Sequence, residues 1–106
     1  MQILNINKEL LPLQMSISIE GVPYDFIFNY NDKYDFFTAD LLHFEETIIE
    51  GEKVLIDKPL FTTIEPPFER TMFVPMDLSK KLDRITFANF GEDIFIYVFD
   101  GSENDE

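Results

Sequence analysis

The sequence predicts an all-β fold, a small antiparallel β-sandwich or barrel of about seven short strands with little helix. Three observations lead to this prediction. Apolar and polar residues alternate over Gln14 to Glu20 and again over Tyr24 to Asn31, as in half-buried strands. Turn-forming residues separate such runs at spacings of roughly 8–12 residues. No window of about ten residues keeps the 3.6-residue period of an amphipathic helix.

The first three predicted strands form two consecutive hairpins. The turn signal Gly21-Val22-Pro23 joins the first two alternating runs into an antiparallel pair. Asn31-Asp32-Lys33 is the next turn, because Asn and Asp side chains bond their own backbone and tolerate turn conformations. The aromatic segment Tyr34 to Phe44 then returns as a third strand.

The middle of the chain predicts shorter elements. Thr47 to Glu50 is a short strand that ends at Gly51, and Lys53 to Ile56 is a second one. Further along, Asp77 to Leu82 predicts a single helical turn with Asp77 as its N-cap and lysines near its end.

The last third predicts a short strand at Thr71 to Val74, a strand at Arg84 to Asn89 and a turn at 90–93. Ile94 to Phe99 is wholly apolar and rich in β-branched and aromatic residues, which is typical of a central strand. We therefore expect a single β domain over 1–100 and a flexible acidic tail over 101–106.

The segment Thr62 to Arg70 predicts an exposed, extended loop, because neither Pro66 nor Pro67 can donate a hydrogen bond to a central strand. The prolines stiffen the segment, and an aromatic in such a place is a candidate anchor for a partner. Two interpretations remain open for Phe68: it contacts another protein, or it folds back as a lid over the core. The predicted partner-contact residues are Ile64, Pro66, Pro67 and Phe68.

The net charge of −13 limits the classes of partner. An acidic surface repels phosphate backbones and anionic membranes, so we expect neither nucleic acid nor membrane binding. The charge favours a basic protein surface as partner, or it serves solubility alone. No apolar run reaches the roughly 20 residues of a membrane helix, and the first residues lack a signal-peptide pattern.

Candidate catalytic groups lack a supporting constellation. The sequence has no cysteine, which excludes disulfides and thiolate metal sites. The one histidine, His43, lies between Leu42 and Phe44, where packing is the better interpretation. The oxygen-rich stretch Asn29 to Asp35 lacks the Gly and terminal Glu of an EF-hand loop and is better explained as a hairpin turn. We predict no catalytic residue, no metal and no cofactor.

Three short blocks of the chain form a recognisable pattern. The first has a strand, a Gly-containing hairpin and aromatic strands, at Ile17 to Tyr24, Phe28 to Asn31 and Tyr34 to Phe37. The second has a Gly followed by short polar and aliphatic residues and then Pro-Leu, at Glu50 to Leu55 and Lys58 to Phe61. The third has a Pro-hydrophobic-Asp segment and a closing aromatic strand, at Pro75 to Asp77 and Ile94 to Val98. In these blocks the chain resembles a known family, the small baseplate-plug proteins of bacteriophage tails.

The resemblance implies a non-enzymatic structural protein of a phage tail baseplate or hub, made in the host cytoplasm and then carried in the virion tail. It implies other tail and baseplate proteins as partners and leaves self-association open. The alternative is an acidic inhibitor or DNA mimic that binds a basic host protein, which the charge would suit. A small hydrolase or sugar-binding module ranks last.

Overall fold

The computed structural model describes residues 2–62 and 67–100. Over these ranges the chain forms seven strands in two antiparallel sheets, with no α-helix, which confirms the all-β prediction. The sheets form a sandwich rather than a closed barrel. The strands are β1 Gln2–Leu4, β2 Leu13–Ile19, β3 Val22–Asn31, β4 Phe36–His43, β5 Glu46–Lys53, β6 Met72–Met76 and β7 Phe95–Phe99.

The larger sheet has the strand order β2-β3-β4-β5 and follows from the alternating pattern of its sequence. Met15 pairs with Phe26, and Phe26 pairs with Leu41, so these apolar side chains share the inner face. The β3–β4 turn forms as expected, because the side-chain oxygen of Asn31 accepts hydrogen bonds from the backbone N–H groups of Lys33 and Tyr34, each at 3.0 Å.

The smaller sheet has the order β1-β7-β6, with β7 in the centre as its apolar run predicts. The edge strand β1 was not predicted, because three residues are too few to show an alternation. The opposite edge is partly paired by a passing segment: Asp57 N–H donates to the Pro75 carbonyl at 2.7 Å, and Leu60 N–H donates to the Phe73 carbonyl at 2.7 Å.

The core lies between the two sheets and is dominated by phenylalanine. The Phe26 ring contacts the rings of Phe61 and Phe73, each at a centroid distance of 5.1 Å, and so links the larger sheet to the smaller one. Each buried aromatic removes roughly 150–250 Å² from water. A few such rings therefore supply a large part of the hydrophobic stabilisation of a chain this short.

The two short strands predicted at Thr47 to Glu50 and Lys53 to Ile56 are wrong, because β5 runs through Gly51 without ending there. A bulge opposite Asp40 shifts the register of β4 and β5, and Gly51 takes a φ of 72°. The freed Gly51 N–H donates to the Asp40 carboxylate at 2.7 Å. Glycine here bends the strand rather than terminating it.

The strand predicted at Arg84 to Asn89 is also wrong, since this segment forms turns outside both sheets. The Asn89 carbonyl accepts hydrogen bonds from the N–H groups of Asp93 and Ile94, at 2.9 and 3.0 Å. Its side-chain oxygen accepts from Thr86 N–H at 2.8 Å. Asparagine thus offers the backbone local partners that compete with a sheet ladder.

The helical turn predicted at Asp77 to Leu82 is a hydrogen-bonded turn instead, because Lys80 takes a φ of 60° and leaves the helical region. The capping chemistry expected of Asp77 is nevertheless present. Its buried carboxylate accepts from the N–H groups of Ser79, Lys81 and Leu82 at 2.9–3.0 Å. The Ser79 hydroxyl and these N–H donors hold the pKa of Asp77 down at about 2, against the opposing effect of burial.

Candidate protein-contact site

Of the four predicted contact residues, the structure describes two, Pro67 and Phe68, and Phe68 contacts side chains of both sheets. Ile64 and Pro66 fall outside the described residues. Pro67 is half-buried, and Phe68 is only 8% exposed.

Phe68 packs as part of the core cluster. Its ring meets Tyr24 of β3 edge-to-face at 5.1 Å and Phe73 of β6 at 5.7 Å. Edge-to-face pairs of this kind add about 0.5–1.5 kcal/mol each beyond the area they bury. In the chain by itself, Phe68 is buried against Tyr24 and Phe73, which is the inward position that the lid interpretation describes.

A carboxylate on the larger sheet holds the backbone that follows Phe68. Glu20 lies in the β2–β3 turn at a φ of 54°, before Gly21 at 83°. Its two oxygens accept hydrogen bonds from three successive N–H groups, those of Glu69, Arg70 and Thr71, at 3.0, 2.8 and 2.9 Å. The Thr71 hydroxyl donates a fourth, at 2.9 Å.

This arrangement changes the acidity of Glu20. Desolvation raises the pKa, but the N–H groups of Arg70 and Glu69 and the donors of Thr71 outweigh it, and the pKa falls to about 2. Consecutive N–H groups that converge on one carboxylate form an anion-binding nest, which favours the charged form. Glu20 is therefore ionised throughout the neutral range and holds the loop to the hairpin.

The other end of the same loop is held by a second carboxylate. Glu52 of β5 accepts a hydrogen bond from the N–H of buried Phe61 at 2.7 Å. Phe61 itself takes a φ of 62°, a conformation that is strained for a bulky residue. Glu52 thus holds the start of the loop and Glu20 holds its end, so both ends are fixed to the sandwich.

Sequence reasoning missed both Glu20 and Glu52. The donors to Glu20 lie 49 to 51 residues further along the chain, so no local motif marks the pairing. Glutamates flanking a turn are also common as solvated charges. The positive φ of Glu20 is the one feature that a hairpin analysis could have identified.

His43 lies at the end of β4 and makes aromatic contacts. Its ring centroid is 5.2 Å from that of Tyr24 and 4.4 Å from that of Phe44. Over 2–62 and 67–100, no three His, Asp or Glu side chains are grouped so that they could hold a metal ion. The described part of the chain also contains no helix with the length and hydropathy needed to cross a membrane.

Comparison with known families defines the class of protein. A family model described as the cyanophage baseplate Pam3 plug gp18 matches residues 1–102. The chain is thus a structural component of a phage baseplate, in agreement with the resemblance found in its sequence. It belongs to this family of baseplate plugs. No curated protein and no solved structure matched the chain.

Proposed function

We propose that the chain is a non-enzymatic, plug-like component of a phage tail baseplate or hub and acts through contacts with other tail proteins. The match to a baseplate plug family over residues 1–102 is the observation that carries the proposal. The fold is compatible with it, because a small β-sandwich with an aromatic core offers rigid surfaces for neighbours.

The loop Thr62 to Arg70 is the proposed contact segment, with Ile64, Pro66 and Pro67 presented to a neighbouring tail protein. Phe68 supports this segment from the core side rather than reaching outward. The carboxylates of Glu52 and Glu20 support the proposal, since they fix both ends of the loop. Fixed ends and consecutive prolines lower the entropy that the loop loses on binding.

The proposed partners are other tail and baseplate proteins, with assembly in the host cytoplasm and residence in the virion tail. The net charge of −13 supports a basic partner surface and disfavours nucleic acid and membrane. Opposite charge would also accelerate association at low ionic strength.

Reconstitution tests this proposal. The chain is co-expressed with each other baseplate protein of its phage, and complexes are separated by size exclusion. We expect co-elution with at least one of them, weakened by Ile64→Asp but not by the control Ile48→Asp on exposed β5. Absence of co-elution with any baseplate protein would contradict the proposed function.

The second candidate function, an acidic inhibitor or DNA mimic, is favoured by one observation, the 21 acidic against 8 basic residues. A mimic occupies a DNA-binding site, so duplex DNA should displace it from its partner. A baseplate component should keep its partner when DNA is added at constant ionic strength.

The proposed absence of catalysis has a separate test. A hydrolase screen on the purified chain should give no turnover with or without a chelator. Turnover that disappears in a folded His43→Ala variant would overturn it.

A further inference from the structure

The edge strands of the two sheets differ in how they are protected from pairing with another chain. β1 is only three residues long, and β6 is partly paired by the segment with Asp57 and Leu60, whose N–H groups donate to it. β5 has two register shifts against β4. Its charged side chains are Glu46, Glu50, Glu52 and Lys53. Short length, coverage, bulges and charge all prevent edge-to-edge pairing of sheets.

The edge strand β2 has none of these protections. It runs for seven residues, Leu13–Ile19, and pairs with β3 along its whole length without a register shift. It contains neither a charged residue nor a proline, although the chain as a whole carries a net charge of −13. A long, regular and uncharged edge is a template to which another strand can be added.

The β2–β3 turn determines which backbone groups of β2 face outward. Its two central residues have φ values of 54° and 83°, as in a two-residue turn of the primed type, so the last pair before it, Ile19 with Val22, is hydrogen-bonded. Hydrogen-bonded and non-bonded pairs alternate along an antiparallel ladder. The backbone N–H and C=O groups of Gln14, Ser16 and Ser18 therefore point away from β3. Within the described residues, these backbone groups have no hydrogen-bond partner.

A cleft lies beside β2, where the sandwich is open between β2 and β1. Its volume is about 320 Å³, and the apolar residues that line it are Leu4, Ile17, Ile19, Phe73 and Val98. Ile19 and Phe73 are buried, whereas the other three keep part of their surface exposed. Successive side chains of a strand point to opposite faces, so a strand added to β2 would direct every second side chain toward this cleft. It would thereby cover apolar surface that the described chain leaves open.

Resting on the proposed function, we propose that β2 receives an extended segment of a different baseplate protein, added as a fifth strand of the larger sheet with apolar side chains at alternate positions. In this mode of recognition, main-chain hydrogen bonds supply affinity and the pockets for alternate side chains supply specificity. The C-terminal segment of the chain itself is unsuited to this place. It continues from Asp100, which lines the cleft, but residues 101–106 contain no apolar side chain to fill it.

Charge disfavours a second copy of the chain at this edge. Because Asp100 lines the cleft, the segment with Glu103, Asp105 and Glu106 begins there. A two-fold pairing of β2 with its copy would bring the starts of both acidic segments toward one interface, where like charges repel. A segment of another protein avoids this repulsion, and a Lys or Arg beside it would be attracted to the same carboxylates.

Two substitutions at Ser18 separate the contribution of the β2 backbone from that of a side chain. Ser18→Pro removes one outward N–H group and no hydrogen bond to β3, and proline is tolerated on edge strands. Ser18→Ala, the matched control, removes the same hydroxyl and keeps the N–H group. The wild type and each variant are titrated against every other purified baseplate protein of the phage. Sedimentation velocity of each protein alone gives its oligomeric state.

We expect a monomer that binds one of these baseplate proteins, with a Kd about tenfold weaker for Ser18→Pro and unchanged for Ser18→Ala. Hydrogen exchange on the wild type gives a second measurement that does not depend on the folding of a variant. In the complex, the N–H groups of Gln14, Ser16 and Ser18 should exchange more slowly than in the free chain.

The contrary outcomes are distinct. Equal exchange at these three N–H groups in the free and bound chain would overturn the inference, as would a dimer that Ser18→Pro dissolves, which would favour a second copy. Binding that is unchanged in Ser18→Pro but lost in Ile64→Asp would overturn it while leaving the proposed function intact. Absence of any binding partner would remove the proposed function itself.

Discussion

At the scale of single residues, the position of Glu20 shows how one carboxylate can organise a loop. The turn conformation at Glu20 directs its side chain toward the backbone of 69–71, where three N–H groups converge. Without the carboxylate those N–H groups would hydrogen-bond to water instead, and the loop would lose its attachment to the larger sheet. The left-handed conformation of Glu20 is thus offset by the contacts that it permits.

Glu20→Gln removes the charge and one acceptor while it keeps the shape of the side chain. We expect faster amide hydrogen exchange at Glu69, Arg70 and Thr71 and a loss of about 1 kcal/mol in the free energy of unfolding, reduced for solvent exposure. The control Glu50→Gln alters an exposed glutamate of β5 and should leave exchange unchanged. Unchanged protection at 69–71 in Glu20→Gln would contradict the role of this carboxylate.

The lowered pKa values of Glu20 and Asp77 also predict a dependence of stability on pH. A carboxyl whose folded pKa is below its unfolded value stabilises the fold above the unfolded pKa and loses that contribution as pH falls. The ordinary values are 4.5 and 3.8, and both fall to about 2 in the fold. Unfolding free energy should therefore decline between about pH 4.5 and pH 2.

Urea titrations across this pH range give the measurement, with the double variant Glu20→Gln/Asp77→Asn as comparison. The double variant should be less stable near pH 7 and should show a shallower decline below pH 4.5. If the free energy of unfolding fell equally steeply with pH in the wild type and the double variant, carboxylates other than Glu20 and Asp77 would be responsible for the decline.

At the scale of elements, the bulge in β5 depends on a residue without a side chain. Gly51 has a φ of 72°, and a Cβ there would meet no atom within 4 Å. Gly51→Ala should therefore cost about 1 kcal/mol, all of it from backbone conformation. Gly51→Asn should cost less, since Asn tolerates the left-handed region. Chemical denaturation measures both, and equal stability of wild type and Gly51→Ala would rule out the bulge.

The loop that ends at Phe68 provides a second prediction at this scale. Phe68→Ala removes a ring buried against Tyr24 and Phe73, which should cost about 3–5 kcal/mol and lower Tm by many degrees. Leu10→Ala, at an exposed residue, should leave Tm nearly unchanged. A near-wild-type Tm for Phe68→Ala would mean that the ring is free to serve a partner instead.

The sequence predicted elements best where side chains alternate or where turn residues act locally. The β2–β3 and β3–β4 hairpins and the central strand β7 are of this kind. It failed where one residue redirected the backbone, as Gly51 and Asn89 do. The contacts of Glu20 and Glu52 could not be predicted, because they join segments that are distant along the chain.

At the scale of the whole molecule, the core holds the two sheets together. Phenylalanines from each sheet pack between the layers, and no disulfide is present. The outer face of the larger sheet carries polar side chains such as Ser16 and Asp25, whereas Tyr97 and Val74 on the outer face of the smaller sheet are only 6% and 8% exposed.

The most direct test of the proposed baseplate location is a cryo-electron microscopy reconstruction of the baseplate from the phage that encodes the chain. We expect density for the two-sheet sandwich within the baseplate or hub, with the 62–70 loop against a neighbouring tail protein. A complete baseplate reconstruction without density for this chain would contradict the proposed function.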